Sequence, residues 1–249
     1  MADSTLYAPL RSGVSARRKL IIGTAIAMVA CIVPINVLAP HFQSSILYAI
    51  PLTLLGCCGQ LRALRWVTAV VIGLTVITYF VGFWLTPPAT GPQFLSFRLV
   101  NRAMVAGMLW LMSKVLSMWF EAEHGLHHEP DRLHHRVSPM FGMLLAMPTV
   151  IAVALLDGLT PGHFNLAVLY LVPLVTCLFA RSERLLWALF VLLQALAIGG
   201  LYWGPQPYSE EAFQRALQNR ALNAVMMLIV TGLLVFWLRS SGERTASES

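Results

Sequence analysis

The residues of this chain best equipped for chemistry are two Asn-Arg pairs set inside apolar stretches, Asn101-Arg102 and Asn219-Arg220. Arg98 and Arg102 are four residues apart, so they share one helix face, with Asn101 beside them. Arg215 and Asn223 accompany the second pair. An ionisable side chain within a membrane segment is costly and marks a functional site by default. A guanidinium keeps its charge at any working pH, and its fork fits a carboxylate or phosphate. Between Asp3 and Glu121 the sequence has no Asp or Glu, whereas the second stretch holds Asp157, Glu210 and Glu211. Either Asp157 crosses over to Arg102, or the first arginines face an anion that the chain does not supply. The competing role is structural: arginines near a helix end can snorkel to carbonyls and headgroups.

A second polar set surrounds these pairs. His41-Phe42, Leu47-Tyr48 and Pro51 are answered by His163-Phe164, Leu169-Tyr170 and Pro173. Each proline removes a backbone donor, which predicts a kink and an unpaired carbonyl near Leu47 and Leu169. With a tyrosine hydroxyl and an imidazole nearby, His41, Tyr48, His163 and Tyr170 can complete a polar lining. Alternatively, they form part of an aromatic interface belt. Asp157 with His163 is the nearest thing to an acid–base pair. No Ser/His/Asp spacing and no glycine-rich phosphate loop is present, so no catalytic residue is assigned. His124, His127, His128, His134 and His135 cluster in the middle of the chain, but match no closed tetrahedral ligand pattern. No metal site is expected there. The only lysines, Lys19 and Lys114, leave no mid-helix Schiff-base candidate, and no cofactor is expected.

The elements that position these residues follow from composition. The chain is 57% hydrophobic and 11% charged, too little charge for a water-soluble globule, which carries about 25%. Apolar runs predict spans at Leu20–Leu38, Phe42–Gly59, Val67–Leu85 and Phe97–Trp119, then Met140–Leu156, Phe164–Ala180, Leu185–Trp203 and Ala216–Leu238. The second span of each set is short and carries a proline. The shared order of landmarks, offset by 122 residues at His41/His163 and by 118 at Arg102/Arg220, marks an internal duplication. The expected fold is thus an all-α integral membrane protein, with eight transmembrane helices as two tandem four-helix repeats in the same orientation. Its parts are an N-terminal segment (1–19), repeat one (20–119), a His-rich linker (120–138), repeat two (139–239) and a disordered tail (240–249).

Cations set the orientation. Arg17, Arg18, Lys19, Arg62, Arg65, Lys114, Arg132, Arg136, Arg181, Arg184, Arg239 and Arg244 fall at the N-terminus, alternate loops, linker and tail. The intervening loops Ala39–Ser44 and Thr86–Gln93 have no Lys or Arg. By the positive-inside rule both termini and the linker are cytoplasmic. The net charge of +6 is then mainly a topology signal. Nucleic acid is not an expected partner, because the cations are scattered rather than gathered on one face.

Leu47-Tyr48-Ala49-Ile50-Pro51 with Arg62 and Asn101-Arg102, and Leu169-Tyr170-Leu171-Val172-Pro173 with Arg181, Arg184 and Asn219-Arg220, carry a resemblance. They resemble the four-helix N-terminal membrane sensor regions of bacterial sensor histidine kinases and diguanylate cyclases, here in two tandem copies. The stretch from Asp157 to Gly162 is similar to the outer loop of those regions. The resemblance implies the bacterial inner membrane and a sensory or regulatory role without a catalytic output domain. A separate cytoplasmic signalling protein would then receive the signal. The expected ligand is small and anionic or polar, bound in the outer half of the bundle by His41, Tyr48, Arg98, Asn101, Arg102, Asp157, His163, Tyr170, Asn219 and Arg220. A small-solute carrier built from two repeats is the alternative, and a membrane enzyme using Asp157 and His163 the third possibility.

Overall fold

The computed structural model describes residues 8–38, 44–85, 92–128, 139–159, 166–203 and 210–247, all of them helical or in short turns. The helices are α1 (Ala8–Leu38), α2 (Ala49–Cys57), α3 (Leu61–Leu85) and α4 (Pro92–His128), then α5 (Pro139–Leu159), α6 (Leu171–Thr176), α7 (Glu183–Trp203) and α8 (Glu210–Ser247). Tight 3-10 turns precede α2 (Ser44–Tyr48) and flank α6 (Leu166–Tyr170 and Cys177–Ala180). The segment expected to form a disordered tail instead continues α8 as far as Ser247. Likewise α4 runs past Trp119 to His128, carrying the first three linker histidines on helix.

Six helices, all but α2 and α6, are long and apolar enough to cross a bilayer. Large apolar side chains face outward on them, including Ile26, Ile77, Leu155, Ile198 and Phe236. Water would not tolerate so much exposed hydrocarbon, whereas lipid requires it. Trp66 and Trp84 are exposed near opposite ends of α3. Eighteen residues separate them, about 27 Å along the axis, close to the thickness of a bilayer core. Trp187 and Trp203, sixteen residues or about 24 Å apart, likewise mark the two ends of α7. Such paired aromatics suit the two interfaces.

The two shorter apolar stretches, Ser44–Cys57 and Val168–Ala180, fall below the usual span length. Geometry explains how they reach as far as they do. The 3-10 portions rise about 2.0 Å per residue against 1.5 Å in an α-helix, so Ser44–Cys57 covers about 24 Å. One end of this stretch meets Arg102 through Ser45, and just beyond its other end Gly59 lies against Phe120. Arg102 and Phe120 are eighteen residues, or about 27 Å, apart on α4. The prolines account for the 3-10 turns. Pro51 and Pro173 are each the third residue of α2 and α6. A proline ring strikes the carbonyl four residues earlier in an α-helix, and the chain winds tighter up to Tyr48 and Tyr170 instead. The expected kinks are therefore changes of helix type.

Both short helices sit in the middle of the bundle. Ala49, Leu52, Leu55, Leu171 and Leu174 are completely buried, and a helix apolar all round belongs in such a core. α2 packs on α1, α3 and α4 and also on α8; α6 packs on α5, α7 and α8 and also on α4. Trp119 and Trp237 join α4 to α8 near one end, edge to face at 4.1 Å. At that end α3 is tied to α4 by Arg65 and Glu121 (2.9 Å), and α7 to α8 by Glu183 and Arg239, with the signs exchanged. These pairs are exposed and contribute little.

The turn after α2 needs a glycine. Gly59 has φ +68°, and a Cβ there would fall 2.2 Å from the Phe120 ring. Arg181, 122 residues on, adopts the same left-handed conformation at φ 49°. Gly59→Ala is therefore expected to cost about 1 kcal/mol for the backbone alone, and more from displacement of Phe120. A thermal unfolding series in nanodiscs, with Arg181→Gly expected to be neutral or stabilising, checks this.

Candidate functional site

Arg102 and Arg220 occupy the same helical position, each the eleventh residue of its helix. Each lies inside the candidate span of that helix, three residues in from its start at Leu99 for Arg102 and seven in from Phe213 for Arg220. Both are buried, at 8% and 7% exposure, so neither guanidinium snorkels freely to the surface. They differ in what surrounds them.

In the second half, Arg220 forks onto Asp157. Its Nη1 donates to Oδ2 (2.8 Å) and its Nη2 to Oδ1 (3.0 Å), while Nη1 also reaches the Ala197 carbonyl. Asp157 is 2% exposed and third from the end of α5. Gly200 leaves the room required: a Cβ there would fall 2.3 Å from Asp157 Oδ2. Asp157 therefore does not cross to Arg102, and both of its oxygens are held. That removes it as a ready proton acceptor for His163, which lies outside the described residues. Tyr170 is buried close to this ion pair. Arg215 pairs at the surface with Glu211, and Asn219 is half-buried.

In the first half, the partners of Arg102 include two neutral side chains. Its Nη1 donates to Ser45 Oγ and to Asn36 Oδ1 (3.3 Å). The same Asn36 oxygen accepts from Ser44 Oγ (2.5 Å) and Ser45 Oγ (3.0 Å). All of these side chains are buried, Asn36 and Ser45 completely. The Tyr48 hydroxyl is buried beside Asn36, with which it interacts, and near Arg102. Donors crowd here around a single amide oxygen, and such an arrangement suits an anion. Asn101 is half-buried on α4. Arg98 is on α4 too, but its side chain, like all of His41, lies outside the described residues.

The structure thus brings together Tyr48 with Arg102, and Asp157 and Tyr170 with Arg220. It adds Asn36, Ser44 and Ser45, which motif reading missed. The near-constant spacing between recurring landmarks could have found Asn36. It is third from the end of α1, as Asp157 is from the end of α5, and 121 residues separate them. Among the described residues no three His, Cys, Asp or Glu side chains gather to hold a metal ion.

No known protein family, curated protein or solved structure matches this chain.

Proposed function

We propose that the chain is a sensory or regulatory protein of the bacterial inner membrane, binding a small anionic or polar ligand in the outer half of its bundle. The observation that carries this reading is the first-half cluster: a buried guanidinium inside a candidate span, bonded to the side chains of Asn36 and Ser45 and with Tyr48 buried beside them. Arg102 supplies charge, and Asn36, Ser45 and Tyr48 orient the ligand. Eight crossings in two like-oriented repeats fit the matched reach of α2 and α4 and the twice-repeated order of long and short helices. The distribution of cations supports cytoplasmic termini. Signalling requires the ligand to favour one helix arrangement over another. The helices best placed to transmit that difference are α4 and α8, which meet at Trp119 and Trp237 and extend beyond them. A separate cytoplasmic protein would read their ends.

The test is thermal unfolding in nanodiscs against formate, acetate, phosphate and succinate. At least one should raise the midpoint saturably, and Arg102→Gln should abolish the response. A response unchanged in that variant rejects the site.

A carrier is the second reading, favoured by the buried hydroxyls of Thr68, Thr75, Thr78, Ser113 and Ser117 along α3 and α4. Thr68 Oγ1 bonds to Ser113 Oγ at 2.9 Å, bridging the two helices. Each threonine also bonds back to a carbonyl of its own helix, which is ordinary packing for a hydroxyl in a membrane helix. Uptake of the stabilising anion into proteoliposomes decides between the two readings, because a sensor binds without moving it.

A further inference from the structure

Small residues on α5 and α7 open a groove on the outside of the bundle. Ala146 and Cys177 are buried at its floor, Met143, Met147 and Leu192 stand exposed as its walls, and Leu185 lies at one end. The groove holds about 240 Å³, less than the roughly 300–1,000 Å³ of pockets that engulf a whole small molecule. It therefore suits a segment of chain rather than a compact solute. Its lining has no charged group and no polar one but the Cys177 thiol. A water settles in a cavity only with about two to four polar partners, so the groove is a place for hydrocarbon. Both α5 and α7 are candidate membrane spans, and the open side faces lipid.

Its position along the helices is informative. Met143 is the fifth residue of α5 and Leu185 the third of α7, so the groove begins at the same end of both. From Leu185 to Leu192 it follows α7 for seven residues, about 10 Å. Trp187, exposed near that end, suits the membrane interface. Arg184 directly precedes Leu185, and Arg181 follows the Cys177–Ala180 turn; both are exposed. The acid between them, Glu183, has both carboxylate oxygens engaged by Arg239 of α8. An apolar groove thus leads from headgroup depth, where two arginines flank it, into the hydrocarbon. Basic pockets between membrane helices recognise acidic lipid headgroups in this way.

We infer that the groove is a lipid site: an anionic phospholipid lays one acyl chain between α5 and α7 and sets its phosphate against Arg184 and Arg181. A guanidinium offers a phosphate two parallel N–H donors. A zwitterionic lipid fills the groove equally well but brings a cation of its own, which the arginines repel. The bound chain touches α5 and α7 together and holds them side by side, next to the close crossing of Gly142 and Ala180. This site shares no residue with the Arg102 cluster, and either stands or falls without the other.

Native mass spectrometry of the full chain in detergent tests this, with dioleoyl phosphatidylglycerol and dioleoyl phosphatidylcholine as probes. The wild type is expected to retain one phosphatidylglycerol, preferred over phosphatidylcholine by at least about tenfold. Arg184→Gln should cut that preference about fivefold, the worth of one cation near an anionic headgroup. Ala188 lines the groove from an exposed position on α7, and Ala188→Phe puts a ring where the acyl chain lies. Displacing two methylenes is enough to weaken both lipids about tenfold, while helicity and the lipid-free unfolding midpoint stay as in the wild type. Ala188→Leu, a smaller filling, replaces it if the phenylalanine variant does not fold. Equal wild-type affinity for the two lipids overturns the proposal, and so does unchanged lipid affinity once the groove is filled. A dimer that Ala188→Phe breaks while lipid binding persists gives this face to a second copy of the chain and likewise overturns it. Selective phosphatidylglycerol binding that both substitutions weaken supports it.

Discussion

Asp157→Ala is expected to destabilise the protein by about 3–5 kcal/mol, the usual cost of leaving a buried charge without its partner. Arg220 is 7% exposed and would keep only the Ala197 carbonyl of its three bonds. Water cannot easily reach it, and the guanidinium cannot shed its proton. The double change Asp157→Leu with Arg220→Met should recover most of the loss, because removing both charges leaves nothing unsatisfied. The exposed pair Arg215–Glu211 provides the contrast. Glu211→Ala should shift stability by less than about 1 kcal/mol, since solvent screens that pair. Denaturation midpoints of these variants in nanodiscs decide the matter. A small effect for Asp157→Ala would mean that the pair does not hold α5 to α8.

Gly142→Leu should have the other large effect, at least about 3 kcal/mol, read as loss of monodisperse protein after extraction. A Cβ at Gly142 would fall 2.2 Å from the Ala180 nitrogen and 2.7 Å from its Cα. The obstacle is backbone, which has no rotamer by which to yield. Here α5 crosses the end of the short central segment with the chains nearly touching, and small residues permit that approach in membranes. Gly158 is the control, since it lies on the same helix and a Cβ there would meet nothing within 4 Å. Gly158→Ala should be neutral or slightly stabilising. Equal tolerance at both positions would show that the crossing is looser than described.

The sequence made the long helices and the two arginines legible for a simple reason. Apolar length sets a span, and a charge inside such a run stands out against it. It left the partners of those arginines open, because helix spacing relates residues on one helix and is silent about which helix lies opposite. Asp157 could have served either guanidinium until α5 was seen beside α8 and α7. Asn36, Ser44 and Ser45 escaped notice because motif reading sought residues kept in both halves, and these are the ones that differ. The same habit treated Pro51 and Pro173 as kinks, whereas the turns before them absorb the clash by winding more tightly. The short central helices were recognised as apolar but not as the hub. Being hydrophobic all round, they carry no pattern that says which neighbours will cover them.

That hub makes the halves interdependent. Since α2 lies against α8 and α6 against α4, each half finishes the other's interior. Synthesised alone, either would present an oily flank that lipid could cover but could not shape. A movement begun around Arg102 therefore has a direct mechanical route into the far half through α2, without passing along the connecting segment.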